Sequence, residues 1–231
     1  MLEYILDDIL QLIFPRLCAC CQEQSVAKNT ILCAWCEIDI KITKYHLVRE
    51  NECIRRLEGR FPLHSGTSMY RFYPNGKIQQ MIHQIKYRRN GIIAKQLGQR
   101  YGTLLRSSPL YSSVDIVIPV PLHKRRRRER GFNQSVFFAE GLASAMQIEY
   151  SPNAIKRIRP TSSQTRKSRL ERLENMEKAF RIRRPEKLHD RHVLLVDDVL
   201  TTGATIESCV LELNKVAPRA ISFATIALAE K

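Results

Sequence analysis

No apolar run in this chain reaches the ~20 residues that a membrane-spanning helix needs, so none is expected. The N-terminal stretch "MLEYILDDILQLIF" is apolar, but it carries Glu3, Asp7 and Asp8 where a secretory signal carries positive charge. Leu2, Ile5, Leu6, Ile9 and Ile13 fall there at helical spacing, which predicts an amphipathic helix. The pattern G-x-x-x-x-G-K-[ST] is absent, which excludes a Walker-type phosphate loop. No internal repeat is visible, which sets aside solenoid and propeller architectures. What remains is a globular chain of 231 residues, expected in the cytoplasm and long enough for one or two domains with a sizeable core.

One quantity is in excess. The net charge is +15 while the hydrophobic content, 44%, is ordinary. Surplus charge of that size implies a polyanionic partner without identifying it.

The seven cysteines are unevenly placed, five of them within "CACCQEQSVAKNTILCAWC". A reducing compartment disfavours a disulfide framework. Cys18-x-x-Cys21 and Cys33-x-x-Cys36, eleven residues apart, have the spacing of two zinc knuckles whose four thiolates reach one ion. With no histidine or carboxylate among the four, the Zn²⁺ site reads as closed and structural. Cys20 is left over, and Cys53 and Cys209 read as buried thiols. A redox pair or chance clustering is the competing reading.

Beyond this segment, "EIDIKITKYHLVRENECIRRLEGRFPLHSG" reads as the tail of a small module and a linker. "TSMYRFY" predicts a strand with "PNG" as its turn. Helices are predicted over "KIQQMIHQIKYRR", with Ile78, Met81, Ile82 and Ile85 on one face, over "GIIAKQLGQRYGTLLRSS" and over "NQSVFFAEGLASAMQ". "SVDIVIPVPL" is a buried strand stopped by prolines. A second buried strand covers Val193 to Val196. A helix with Ile206, Val210, Leu213 and Ala217 on one face follows, and "AISFATIALA" is the last strand. Strands alternating with helices predict an α/β body with a mainly parallel sheet.

The chemistry concentrates in "VLLVDDVLTTGAT". In a parallel sheet, ligands sit beyond the carboxyl ends of the strands, where Asp197 and Asp198 stand. The turn that follows, Thr201, Thr202, Gly203, Ala204 and Thr205, has hydroxyl donors, a glycine and the N-terminus of a helix, a combination suited to a monophosphate. Two carboxylates would repel that phosphate but accept hydrogen bonds from hydroxyls. A ribose 5-phosphate satisfies both halves, with Mg²⁺ nearby on a substrate phosphate. "VLLVDD" also opens phosphorelay receivers, but only about one βα unit follows here where a receiver needs about four. A buried strand with an exposed acidic turn is the other reading of the segment.

The stretch Asp197, Asp198, Val199, Leu200 and Thr201–Thr205 resembles the signature of type I phosphoribosyltransferases, which bind 5-phosphoribosyl 1-diphosphate. Together with a cysteine-rich N-terminus, "IPVPLHKRRRRERGFNQS", "IHQIKYRRNG" and "RIRPTSSQTRKSRLERLENMEKAF", it resembles the ComF family of competence proteins over nearly the whole chain. The resemblance implies a type I phosphoribosyltransferase fold over residues 61–231, preceded by an N-terminal helix, zinc module and linker over residues 1–60. It assigns the ribose hydroxyls to Asp197 and Asp198, the 5-phosphate to Thr201–Thr205, and the diphosphate loop to Leu122, His123 and Lys124. It makes "RPTSSQTRKSRLERLEN" a loop closing over the site and puts Arg157, Gln164, Arg172 and Asn175 at family-like positions. No nucleophile or general base stands out, and none is needed if catalysis is mainly positioning of a ribosyl cation.

Three basic runs exceed the needs of a diphosphate: Lys124 to Gly131 in "KRRRRERG", Arg157 to Arg172, and Arg181 to Arg191. Each alone reads as a solvated loop. Together they suit single-stranded nucleic acid, with Arg125, Arg126, Arg127 and Arg128 as backbone contacts. Phe132 beside them is either a stacking ring or core, and core is favoured. The expected function is phosphoribosyl diphosphate binding coupled to single-stranded DNA in DNA uptake, with other uptake proteins as further partners. The alternative is a metabolic enzyme transferring phosphoribose to a small nitrogenous acceptor, and a third is an adaptor with a vestigial site.

Overall fold

The computed structural model describes residues 15–27, 30–57, 59–87, 90–123, 128–129, 131–158 and 179–230. The helix expected within residues 1–14 and the loop expected over residues 159–175, with Gln164, Arg172 and Asn175, lie outside them.

Five parallel strands form the central sheet in the order β1 (Ser65–Phe72), β7 (Ala220–Ala229), β6 (His192–Leu200), β2 (Ile116–Pro119), β3 (Glu149–Tyr150). Helices α3 (Lys77–Tyr87), α4 (Gly91–Arg106), α5 (Gln134–Met146) and α6 (Ala204–Asn214) connect them. Two were legible as apolar stripes: α3 buries Ile78, Met81, Ile82 and Ile85, and α6 buries Ile206, Val210 and Leu213. Asn133 begins α5, its side chain accepting from Ser135 N. Helices α4 and α5 pack backbone to backbone through glycines, since a Cβ on Gly98 would lie 2.2 Å from Phe138 O and one on Gly141 2.1 Å from Lys95 O.

Central strand β6 sorts its side chains to both faces. Leu194 and Val196 join the cluster under α3, α4 and α5, while Val193 and Leu195 join that under α6. Cys18, Cys20, Cys33 and Cys36 belong to the first cluster along with Met69 and Ile85. No helix among the described residues is long and apolar enough to cross a membrane.

Three local expectations change. Strand β6 does not stop at Val196 but runs to Leu200, because long β7 keeps pairing with it through Asp197↔Thr225, Val199↔Ala227 and Leu200↔Leu228. Ala217 lies outside α6, in a turn with φ 47. The stretch read as a linker instead contains the end of α1 (Ala34–Asp39), a 3₁₀ turn at Tyr45–Leu47 and α2 (Glu52–Arg55), capped by Asn51 and burying Cys53. These helices are too short for periodicity to show. A separate antiparallel hairpin, β4 (Ile155–Arg157) with β5 (Phe180–Ile182), was also not anticipated.

Candidate functional site

All strands of the central sheet are parallel, so the C-terminal ends of β2 and β6 lie at the same edge. Asp197 and Asp198 stand there. The ladder between the two strands ends at Pro119↔Val196. Beyond it, the amides of Asp198 and Val199 donate to Asp197 Oδ1 (2.9 Å) and Asp198 Oδ1 (2.7 Å).

Two side chains unforeseen from the sequence complete the acid pair. Ser135 Oγ, in the first turn of α5, donates to Asp197 Oδ1 at 3.0 Å. Lys86 Nζ, in the last turn of α3, lies 3.0 Å from Asp198 Oδ2. The lysine offsets one charge, but the pair remains unfavourable. Desolvation, and then the Asp198 charge, push the Asp197 carboxyl up to about 7. Strongly perturbed acids of this kind concentrate at functional sites. The only sequence signal for Lys86 was its place in "IHQIKYRRNG".

The turn after β6 is held from behind. Gly203, with φ +82, precedes α6, and a Cβ there would lie 2.0 Å from Leu57 Cδ2. Arg56 Nη1 donates to Thr201 O (3.3 Å) and also to Ala229 O, and Arg60 Nη1 donates to Thr202 O (3.1 Å) and Glu207 Oε2 (3.2 Å). The carbonyls of Thr201 and Thr202 are thereby bound to α2 and the residues just after it. The amides of Thr202, Gly203, Thr205 and Ile206 find no acceptor among the described residues. Orphan amides at a helix start are donors for an anion. Thr201 and Thr202 are exposed and Thr205 half-buried. A cleft of about 710 Å³ lined by Arg55, Arg56, Arg60, Thr201 and Thr202 opens beside the turn.

After β2, Asn133 Nδ2 donates to Val120 O (2.9 Å), tying the start of α5 to the segment that carries Leu122 and His123, both half-buried. Lys124, Arg125, Arg126 and Arg127 lie outside the described residues, and Arg128 is exposed. Arg157 is buried, its guanidinium 5.3 Å from the centre of the Phe180 ring. Phe132 is half-buried, packed edge to face on Phe137.

Cys18, Cys21, Cys33 and Cys36 converge, with all four sulfurs within 4.8 Å of one another and Cys21 Sγ 3.9 Å from Cys33 Sγ. An ion bonded tetrahedrally at ~2.3 Å sets its sulfurs ~3.8 Å apart, so the four could hold one metal ion. Cys33 N donates to Cys18 Sγ (3.3 Å), and backbone amides at Glu23 and Gln24 draw the Cys21 thiol down to about 7. Cys20 is fully buried and outside the group, its thiol pushed up to about 12 by burial. Cys53 and Cys209 are buried thiols as expected.

The phosphoribosyl transferase domain family model matches residues 133–231. The chain is 32% identical over 197 residues to the DNA utilization protein YhgH of Escherichia coli O157:H7, covering 82% of this chain and 80% of the relative. The chain belongs to the ComF family of competence proteins. Other ComF relatives include Competence protein F of Haemophilus influenzae, 36% identical over 93 residues (40% of this chain, 41% of that one). Competence protein ComFC of Bacillus subtilis is 27% identical over 166 residues (70% and 64%). The ComF match and the parallel sheet bear out the expected family and fold class: a phosphoribosyltransferase-type α/β body with four clustered cysteines near the N-terminus.

Proposed function

We propose that this ComF protein binds 5-phosphoribosyl 1-diphosphate at the β6 edge and acts with single-stranded DNA in DNA uptake. The observation that carries the reading is the adjacency of an acid pair and a turn with open amides. Asp197 and Asp198 accept from ribose hydroxyls, and Thr201–Thr205 donate to the 5-phosphate. Lys86 pairs with Asp198, while burial and the neighbouring Asp198 charge raise the Asp197 carboxyl. Leu122, His123 and Lys124 follow β2 at the neighbouring strand end and take the diphosphate. Mg²⁺, arriving with the diphosphate, would supply positive charge to the leaving group; because Asp198 is already paired with Lys86, the acid pair suits hydroxyls better than direct ligation of the ion. Zn²⁺ held by Cys18, Cys21, Cys33 and Cys36 is structural, in an N-terminal unit over residues 1–60.

Calorimetric titration with phosphoribosyl diphosphate and Mg²⁺ tests the site. Asp197→Ala with Asp198→Ala should weaken binding at least about tenfold, since each hydrogen bond to a charged group contributes about 1.5–3 kcal/mol. A diphosphate-release assay with and without single-stranded DNA, and with small nitrogenous acceptors, then separates DNA-linked from metabolic transfer. Wild-type protein that shows no binding overturns the reading and favours an adaptor.

A further inference from the structure

The hairpin β4–β5 carries charge that its fold does not use. Its register sets Lys156 directly opposite Arg181, and Arg183 N extends the ladder to Ala154 O (2.7 Å). The period of two then places Lys156, Arg181 and Arg183 on one face. Like charges directly opposite on paired strands destabilise the pair. Among the described residues, none of the three has an ion-pair partner.

Two cavities meet beside this hairpin. One, about 460 Å³, is lined by Phe132, Phe137, Pro152, Lys156 and Arg183 among others. The other, about 430 Å³, is lined by Asn153, Arg183, Arg184 and Glu186. Asn153 and Arg183 line both, so the two adjoin, and together they are called the groove. Its ends differ in chemistry. At the apolar end the rings of Phe132 and Phe137 lie 5.5 Å apart at 77°, with Phe137 fixed against Gly91, where a Cβ would come within 2.9 Å of the ring. At the other end two arginines and an exposed amide face one acid, Glu186.

We infer that this groove seats a stretch of single-stranded DNA, one base against the Phe132 ring and Pro152, with successive phosphates along Lys156, Arg183 and Arg184. An aromatic wall accepts any base by its π-face, and a flanking basic track follows the backbone. A base paired in a duplex is stacked on both faces and cannot enter, so the wall selects single strands. A groove of this size lies within the range of ordinary ligand pockets, ~300–1,000 Å³. The inference rests on the reading that the chain acts with single strands, and it places the binding surface on residues outside the Arg125–Arg128 run.

Fluorescence anisotropy of a labelled oligothymidine with the full-length chain tests it. Phe132→Ala should weaken binding about tenfold, Phe132→Trp should restore it, and an oligomer with abasic sites should be insensitive to either. Lys156→Ala with Arg183→Ala should flatten the log–log salt dependence by about 0.7 for each phosphate that is no longer neutralised. Cross-linking of a 5-iodouracil oligomer to unmodified protein should mark residues 131–137 or 152–157, a readout that survives if a variant fails to fold. Normal binding by every groove variant, or adducts confined elsewhere, overturns the groove and leaves the single-strand reading standing. Equal weakening of intact and abasic oligomers by Phe132→Ala makes the ring a packing residue and also overturns it. Wild-type protein that ignores all oligomers at low salt takes both readings down.

Discussion

Replacing Gly203 by alanine perturbs the Thr201–Thr205 turn at two points whose costs can be separated. The residue sits at φ +82, where an L side chain carries backbone strain of roughly 1–2 kcal/mol. Its Cβ would also lie 2.0 Å from Leu57 Cδ2, and Leu57 is only 1% exposed, packed with Cys53, Leu200 and Ile206. Overpacking a filled core adds about 1–3 kcal/mol, so Gly203→Ala should cost roughly 2–5 kcal/mol in all. Leu57→Ala alone should cost ~2–5 kcal/mol by opening a cavity. In the double variant the clash is gone and only the φ strain and part of the cavity remain. Its cost should therefore fall short of the sum of the singles by at least about 1 kcal/mol. Urea unfolding of the four proteins, with slopes compared, measures this coupling. Additivity within about 0.5 kcal/mol would refute the packing of Leu57 on the turn, and with it the claim that α2 and the residues after it support the turn proposed to hold a phosphate.

Two further outcomes are expected. Because the Asp197 carboxyl is raised to about 7, the folded chain keeps a proton that the unfolded chain loses from about pH 4, so this group's contribution to stability falls as pH rises through 7. Asp197→Asn should accordingly be nearly neutral at pH 4 and stabilising by about 1–4 kcal/mol at pH 8, checked by thermal unfolding across pH; equal effects at both ends would contradict the burial argument. Freshly purified protein should carry one zinc per chain by elemental analysis, absent from Cys33→Ser and kept in Cys20→Ser. Since the cysteines share an apolar cluster with Met69 and Ile85, chelation should lower the unfolding midpoint of the whole chain.

The parts of the fold that could be read from the sequence are those whose signal is local. The α3 stripe, the buried runs of β2, β6 and β7, the paired C-x-x-C knuckles and the acid-to-threonine turn each lie within about twenty residues, so periodicity and spacing suffice. The interactions that complete the site are not local. Arg56 reaches Thr201 across 145 residues, and Ser135 reaches Asp197 across 62. Only the fold brings them together. Short elements also escaped: α2 has four residues, barely one turn, and β4 and β5 three each, too few to show a period. The extension of β6 past Val196 was hidden for another reason. Two adjacent aspartates look like the end of a strand, yet pairing with β7 carries the strand through them.

At the β6 edge the chain accepts costs that packing alone would remove. An asparagine at position 197 would relieve the ionisation penalty of a desolvated acid beside another acid, and nothing in the surrounding apolar cluster requires a charge there. The turn holds a left-handed residue and leaves helix-start amides without acceptors among the described residues. Hairpin β4–β5 likewise opposes two cations that no carboxylate offsets among the described residues. Each is locally unfavourable, and each becomes favourable on binding a ligand of opposite or complementary chemistry: hydroxyls for the carboxylates, a phosphate for the amides, a phosphodiester track for the cations. Phosphoribosyl diphosphate, as proposed, would meet the first two demands. Single-stranded DNA, as proposed, would meet the third, so on that reading a small-molecule transferase alone accounts for less of this surface than a protein that handles both.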